Sequence, residues 1–346
     1  MHDTLKPALD TLLQRHDLSD SVCRDAIGAI MDGQCDPVDI AAFLTAMAAK
    51  GSVASELVGA ATAMRQRAAS MISQRRPLLD TCGTGGDRLH TFNISTAAAL
   101  VAASCGIAVA KHGNRCVSSS SGSADVLEAL GLNIALSAAD AGRCLDQLGI
   151  AFCFAPLIHG AMKFAAPIRR QLGFPTIFNL LGPLTNPAGA EFQLLGANSI
   201  ERAELLARAL SQLKIEHAFV VCGNNELDEV SLWGTTTVFD VTPDQVVRRE
   251  WNASDFGLPV CDVATLRVTS AAQSAQVILS VLNGTVSPAS DMVIANTAAA
   301  LLVSGTVPDL RAGVDVATAA IQGGKSLALL EALIQKTHSL GHSAEK

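Results

Sequence analysis

A chain of 346 residues with 49% hydrophobic and 16% charged side chains is too apolar to stay disordered, and its length suits about two domains around a large buried core. A formal charge of -7 gives no long-range attraction to nucleic acid or anionic lipid, so any anion site must be built from a few local cations. The longest nearly apolar run, residues 97–110, is interrupted by Ser104 and Gly106 and is too short to span a bilayer, and "MHDTLKPALD" lacks a signal-peptide pattern, so a cytoplasmic enzyme is expected, with neither membrane nor nucleic-acid partner.

Residues 1–72 read as helices throughout. In "DPVDIAAFLTAMAAKG", Asp36 can cap, Pro37 suits the first helical position and Gly51 the exit. Ile40, Phe43, Leu44 and Met47 then fall at i, i+3, i+4 and i+7 and form one core-facing stripe. "SELVGAATAMRQRAAS" is a further helix, and such a block suggests a small separate domain or an oligomer contact. From Pro77 onward, short apolar runs alternate with alanine-rich helical stretches: "IAVA" (107–110), "AFCFA" (151–155) and "HAFVVCG" (217–223). That rhythm indicates an α/β domain around a central, mostly parallel sheet. "TTTVFDVTPDQVVRREW" reads as a late hairpin with Pro243 and Asp244 in its turn. "SDMVIANTAAALLVSG" and "SLALLEALIQK" are helical, with a frayed polar tail after Ser339. Nine cysteines without CxxC spacing read as small buried thiols in a reducing compartment, not as disulfides or a zinc site.

Four stretches carry the chemistry. "PLLDTCGTGGD" followed by "NISTAAALVAASCG" has the strand, loop and helix grammar of a phosphate site, since bare glycines turn their NH groups outward and a helix start adds its dipole. Its glycines at 83, 85 and 86 fit neither the dinucleotide fingerprint nor a Walker loop, and alone it fits a tight structural turn equally well. "GGKS" (323–326) lacks the first Walker glycine, Ala319 standing there, and is a helix start. "KHGNRCVSSSSGSADVLEALG" sets Lys111, His112 and Arg115 beside Ser118 to Ser121, with Gly122 and Ser123 opening a helix: hydroxyls and cations for a phosphate at a strand's carboxyl end. In "HGAMKFAAPIRRQLGFPTIFNLLGPLTNP", Arg169 and Arg170 offer planar forks for a carboxylate, or are solvated helix charges; His159 reads as structural, and Pro183 and Pro187 stiffen the connection. In "NNELDEVSLWG", Asp228 and Glu229 follow a strand with no basic neighbour in sequence and suit magnesium shared with a substrate phosphate, while Trp233 is assigned to packing.

"DTCGTGGD", "NIST", "KHGNRCVSSSSGSADVLEALG", "APIRRQLGFPTIFNLLGPLTNP" and "LDEVSL", in this order, resemble the anthranilate phosphoribosyltransferase family from the first helix to about residue 335. The resemblance implies transfer of the phosphoribosyl group of phosphoribosyl pyrophosphate to the amine of anthranilate, with magnesium, two ions. It implies a helical domain of residues 1–72, completed by part of 165–190, on an α/β domain of residues 73–346, and a homodimer through the helical domain. By matching motif, Gly83, Gly86, Asp87 and Thr91 would contact the donor, and Asn93, Ile94, Ser95 and Thr96 its pyrophosphate end. Lys111, His112, Gly113, Asn114, Arg115, Cys116, Val117, Ser118 and Ser119, with Ser123, would fold over it. Gly83, Asn114 and Arg169 would meet anthranilate, with His112 lining the aromatic's path, and Ser95, Asp228 and Glu229 would bind metal.

The chain departs from the family's usual residues at Ser121, Cys222 and Gly160, none of which removes an expected ligand. No residue stands out as a strong general base. Pyrimidine nucleoside phosphorylases are the enzymatic rival but lack the "KHGN" and "NLLGPLTNP" combination. A nonenzymatic nucleic-acid-binding relative would carry a basic stripe and eroded metal acids, whereas this chain is acidic and keeps both carboxylates.

Overall fold

The computed structural model describes residues 1–115 and 121–341. Four helices come first: α1 (Leu5–Leu13), α2 (Asp20–Met31), α3 (Pro37–Lys50) and α4 (Ala54–Arg67). Asp36 and Pro37 open α3, Gly51 closes it at φ +89°, and the Ile40, Phe43, Leu44, Met47 stripe is buried as its spacing requires. Glu56 is 0% exposed; its carboxylate accepts from Val53 N and Leu18 N and pairs with Lys50 at 3.0 Å. A fully partnered buried acid of this kind fixes how α3, α4 and the entry to α2 meet. Gly59 lets α2 and α4 cross closely, since a Cβ there would stand 2.2 Å from the Asp20 carbonyl oxygen.

The alternating part follows: β1 (Leu78–Gly83), α5 (Ile94–Ser104), β2 (Ala108–Gly113), α6 (Ser123–Ala129), α7 (Ala138–Leu148), β3 (Ile150–Phe154), α8 (Ala155–Ile158), α9 (Ala166–Leu172), α10 (Phe178–Leu181), β4 (Phe192–Gly196), α11 (Ile200–Gln212) and β5 (His217–Gly223). The hairpin β6 (Thr236–Val241) and β7 (Val246–Trp251) precedes α12 (Ala253–Phe256), α13 (Ala271–Leu282), α14 (Pro288–Val303), α15 (Leu310–Gln322) and α16 (Lys325–Gly341). One sheet holds all strands in the order β3-β2-β1-β4-β5-β6-β7, parallel up to β5 and antiparallel at the hairpin edge. Thr242 N closes the hairpin turn on Gln245 O at 2.9 Å, around Pro243 and Asp244. "GGKS" opens α16, which runs past Ser339 to Gly341.

One sheet face is covered by α5 and α14 around Leu100, Val109, Val293 and Leu301. The other, through Leu195 and Val220, packs on α11 and continues into the four-helix bundle as one apolar cluster. Residues 160–184 return to that bundle: α9 lies against α3, and Ala165, Ile168, Ile177, Leu181 and Leu184 join its core. The eight cysteines described are all free, six of them buried, as small apolar thiols should be. Trp233 packs against the larger core. Among the described residues no helix is long and apolar enough to cross a membrane.

Candidate active site

The strand order turns back between β1 and β4: β2 and β3 lie to one side, β4 and β5 to the other. Open α/β sheets leave a crevice beyond the carboxyl ends at such a reversal. Here a cavity of about 370 Å³ opens at that place.

The sheet also splits there. β1 follows β4 as far as Gly83↔Gly196, but it pairs with β2 only at Leu78↔Ala108 and Leu79↔Val109. Beyond that point buried side chains replace the ladder: Asn186 Nδ2 donates to Ala110 O at 2.7 Å, Lys111 Nζ donates to Thr81 O at 2.6 Å, and Asp80 Oδ1 accepts from His112 N at 3.2 Å. Backbone groups that lose strand partners inside a protein need such replacements. The result is a polar wedge that spreads β1 and β2 and puts the end of β2 on the cavity wall.

The glycine loop forms the floor. Gly85 and Gly86 sit at φ +70° and +79°, which favours glycine. Gly83 and Gly196, at the ends of neighbouring strands, make room for Asp228: a Cβ on Gly83 would lie 2.3 Å from Asp228 Oδ2, and one on Gly196 would collide with the Asp228 carbonyl. Asp228 Oδ2 in turn accepts from Gly85 N at 2.6 Å, and Glu229 Oε1 accepts from Ser95 N in the first turn of α5 at 2.9 Å. Asp87 stands close to this pair. Burial first, and then repulsion from a neighbouring acid, Asp87 for Asp228 and Asp228 for Glu229, push both carboxyls well above the usual carboxylate range, and burial raises Asp87 as well. Lys111 opposes the rise at Glu229, so the acids do have a basic neighbour, one that arrives from β2 rather than from the adjoining sequence.

Of the residues singled out from sequence, Gly83, Gly86, Asp87, Thr91, Asn93, Ile94, Ser95, Lys111, His112, Gly113, Asn114, Arg115, Ser123, Asp228 and Glu229 line the one cavity. Cys116, Val117, Ser118 and Ser119 lie outside the described residues. Thr96 is off the wall: it is 1% exposed and faces the apolar side of α5, because the next residue of a helix points about 100° round from Ser95. Lys111, His112 and Gly113 belong to strand β2, which ends at Gly113, rather than to a covering loop. The Arg115 guanidinium is held by Glu128 and Asp125 of α6 and lies over the Phe154 ring.

Arg169 stands behind the wall. Its guanidinium lies over the Phe178 ring, 5.3 Å from the centroid, and reaches Asn179 Oδ1 at 3.4 Å, while Arg170 is exposed. Phe178 and Asn179 line the cavity themselves, as do Thr84, His90, Gly182 and Pro183. Pro183 was read only as a stiffener and the other five were not singled out; Asn179 lies inside "FNLLGPLTNP", which drew notice for its prolines and as a family motif, not for its amide. His112 Nδ1 contacts Gly182 O at 3.1 Å, and its ring meets His159 edge-on at 5.1 Å. Burial pushes His112 down to about 3 and His159 down to about 4, so both rings are neutral at pH 7.

Residues 6–68 match the helical bundle domain of the glycosyl transferase family and residues 75–327 its a/b domain, so fold and cleft together define a glycosyltransferase of that two-part class. The chain is 46% identical over 338 residues to the anthranilate phosphoribosyltransferase of Laribacter hongkongensis, covering 97% of this chain and 99% of that one. It superposes on the crystal structure of the Thermus thermophilus enzyme of that name with TM-score 0.90 and 37% identity, over 96% and 99% of the two chains. The Saccharomyces cerevisiae enzyme, solved in complex with PRPP and Mg, gives TM-score 0.91 at 29% identity over 98% and 99%; it has also been solved with 4-fluoroanthranilate, at TM-score 0.88, 28% identity, and coverage of 97% and 98%. The chain belongs to the anthranilate phosphoribosyltransferase family.

Proposed function

We propose that this enzyme moves the phosphoribosyl group of phosphoribosyl pyrophosphate onto the amine of anthranilate, giving N-(5-phosphoribosyl)anthranilate and pyrophosphate in tryptophan biosynthesis. The observation that carries the reading is convergence: the loop 83–95, the end of β2 and the acids 228–229 meet in one cavity, although they lie far apart along the chain. Breaking the bond from ribose C1 builds positive charge on the sugar and negative charge on the leaving diphosphate, as in glycosyl transfer. The positive end of the α5 dipole faces that negative charge, while Gly85 N and Ser95 N hold the two acids beside it.

Asp228 and Glu229, with the Ser95 hydroxyl, are hard oxygen donors, and a cation would relieve the repulsion of Asp87 on Asp228 and of Asp228 on Glu229, so they fit magnesium. Among the described residues no three His, Cys, Asp or Glu side chains are arranged to hold a metal unaided, which fits ions that share the donor's diphosphate, two in number on the family's pattern. When bound, magnesium supplies Lewis-acid stabilisation of the departing charge.

The attacking aniline nitrogen is already neutral at pH 7 and needs orientation more than deprotonation. His112, neutral and with Nε2 lacking a hydrogen-bond partner, serves as a wall for the aromatic ring rather than as a base, with the neutral His159 ring packed edge-on against it off the cavity lining. For Arg169 to hold the anthranilate carboxylate, its guanidinium must leave Asn179 or act across it. Gly83 and Asn114 line the same cavity. We also assign residues 1–72, with part of 165–190, to one domain and residues from 73 onward to the other, with a homodimer through the helical domain and a cytoplasmic site of action.

The test is a fluorescence assay of anthranilate consumption with and without phosphoribosyl pyrophosphate and magnesium. Asp228→Ala combined with Glu229→Ala is expected to lower kcat/KM by at least about 100-fold. Phosphate-dependent cleavage of thymidine or uridine by the wild type, with no loss of anthranilate, would replace this reading with a nucleoside phosphorylase.

A further inference from the structure

Asn93 stands at the N-cap position of α5 on the cavity wall, with no side-chain bond to the helix, and its support comes from 181 residues further along the chain. Ser274, in the first turn of α13 and 0% exposed, accepts from Asn93 N at 2.9 Å and donates to Asn93 Oδ1 at 2.8 Å. Ser121 Oγ donates to the same Oδ1 at 2.8 Å, and Asn93 Nδ2 donates to Ser121 O at 3.3 Å. The amide oxygen is thereby saturated, its orientation is set by two hydroxyls, and one amide hydrogen is left for a ligand.

α13 is itself tied to the glycine loop. Phe92 N donates to Leu266 O at 3.0 Å and Val268 N donates to His90 O at 2.8 Å, around the bridge of Thr91 with Arg267. Residues 266–274 therefore run alongside the loop as a brace that ends in the Ser274 hydroxyl.

We propose that Ser274 is a positioning residue of the phosphoribosyl pyrophosphate site: by binding both the backbone NH and the side-chain amide of Asn93, it fixes the first turn of α5 against the donor's phosphates. The inference rests on the donor assignment above. It differs from a packing role in a checkable way, because Ser274 touches Asn93 through two directed bonds, and among the described residues no hydrogen bond ties it to residues 178–183.

The experiment compares wild type with Ser274→Ala and with the nearly isosteric, weakly hydrogen-bonding Ser274→Cys. Calorimetric titration with phosphoribosyl pyrophosphate and magnesium reads donor affinity, steady-state kinetics read KM for each substrate, and hydrogen exchange reads protection at the Asn93 amide. Both variants should weaken donor binding about tenfold, as expected for two neutral hydrogen bonds. KM for anthranilate should stay within about twofold, and protection at Asn93 should fall. Donor affinity within about twofold of wild type in Ser274→Ala overturns the proposal. So does Ser274→Cys behaving like wild type, or a loss that falls equally on both substrates. A wild type that binds the donor but consumes no anthranilate would sink the functional reading alone, leaving the Ser274 result to stand on donor affinity.

Discussion

Two buried imidazoles beside a reaction cleft invite a role in proton transfer, and their environment argues against it. His112 and His159 are each more than nine-tenths buried, and burial is the first cause of their depressed proton affinity. The unfolded chain takes up protons on these rings below an ordinary value near pH 6.5, while the folded one resists until about 3 to 4. Stability from this source is therefore complete above about pH 6.5 and falls as the pH drops from there toward 4. His112→Gln should narrow its stability gap from wild type steadily below pH 6.5, in denaturant melts taken at several pH values, with a constant gap above pH 7. A gap that stays flat down to pH 4.5 would mean the ring is already charged in the folded protein. By the same reasoning, kcat/KM should show no limb near neutrality that His112→Gln removes.

Elements were legible from sequence wherever local chemistry decides them. Pro37 and Gly51 bound α3 where their backbone preferences place them, with Asp36 at the N-cap position but making no side-chain cap bond, and the glycine loop announced the start of α5 just as locally. What escaped were bonds between elements that sequence spacing does not connect. Asn186 was passed over between two prolines, though it supplies the bond that replaces the β1–β2 ladder at Ala110. Lys111 resembled a loop cation but proved to be a strand residue tied to the Thr81 carbonyl, and Arg169 gave no hint that Asn179 stands in front of it. Asn296 is a similar case. Fully buried in α14, it accepts from Val230 N at 2.9 Å and donates to Val230 O at 3.1 Å, holding the residue next to Glu229. Asn296→Ala leaves both backbone groups without partners, so a loss of about 2–4 kcal/mol in urea melts is expected. The drop in kcat/KM should persist at temperatures where the variant is fully folded; normal activity there would show that the acids are held by other means.

At the scale of the whole molecule, the cleft is assembled from two bodies with different attachments. Its floor and donor-side wall are ends of the sheet, while Phe178, Asn179, Gly182 and Pro183 come from a segment whose apolar residues Ile177, Leu181 and Leu184 are packed in the core of the helical bundle. One hydrogen bond ties that segment directly to α4: Arg65 Nε donates to Leu184 O at 2.7 Å. If the donor rests on the sheet and the acceptor on this segment, disturbing the bundle side should move one substrate and spare the other. Arg65→Leu, on α4 itself, removes the donor to the Leu184 carbonyl, at a residue that is 0% exposed, while keeping an apolar side chain at that position, at a cost of about 1–2 kcal/mol in local order. KM for anthranilate should rise about three- to tenfold, with affinity for phosphoribosyl pyrophosphate within about twofold of wild type. Parallel loss of both affinities would mean that bundle and sheet move as one rigid unit, with the acceptor wall no more dependent on α4 than the glycine loop is.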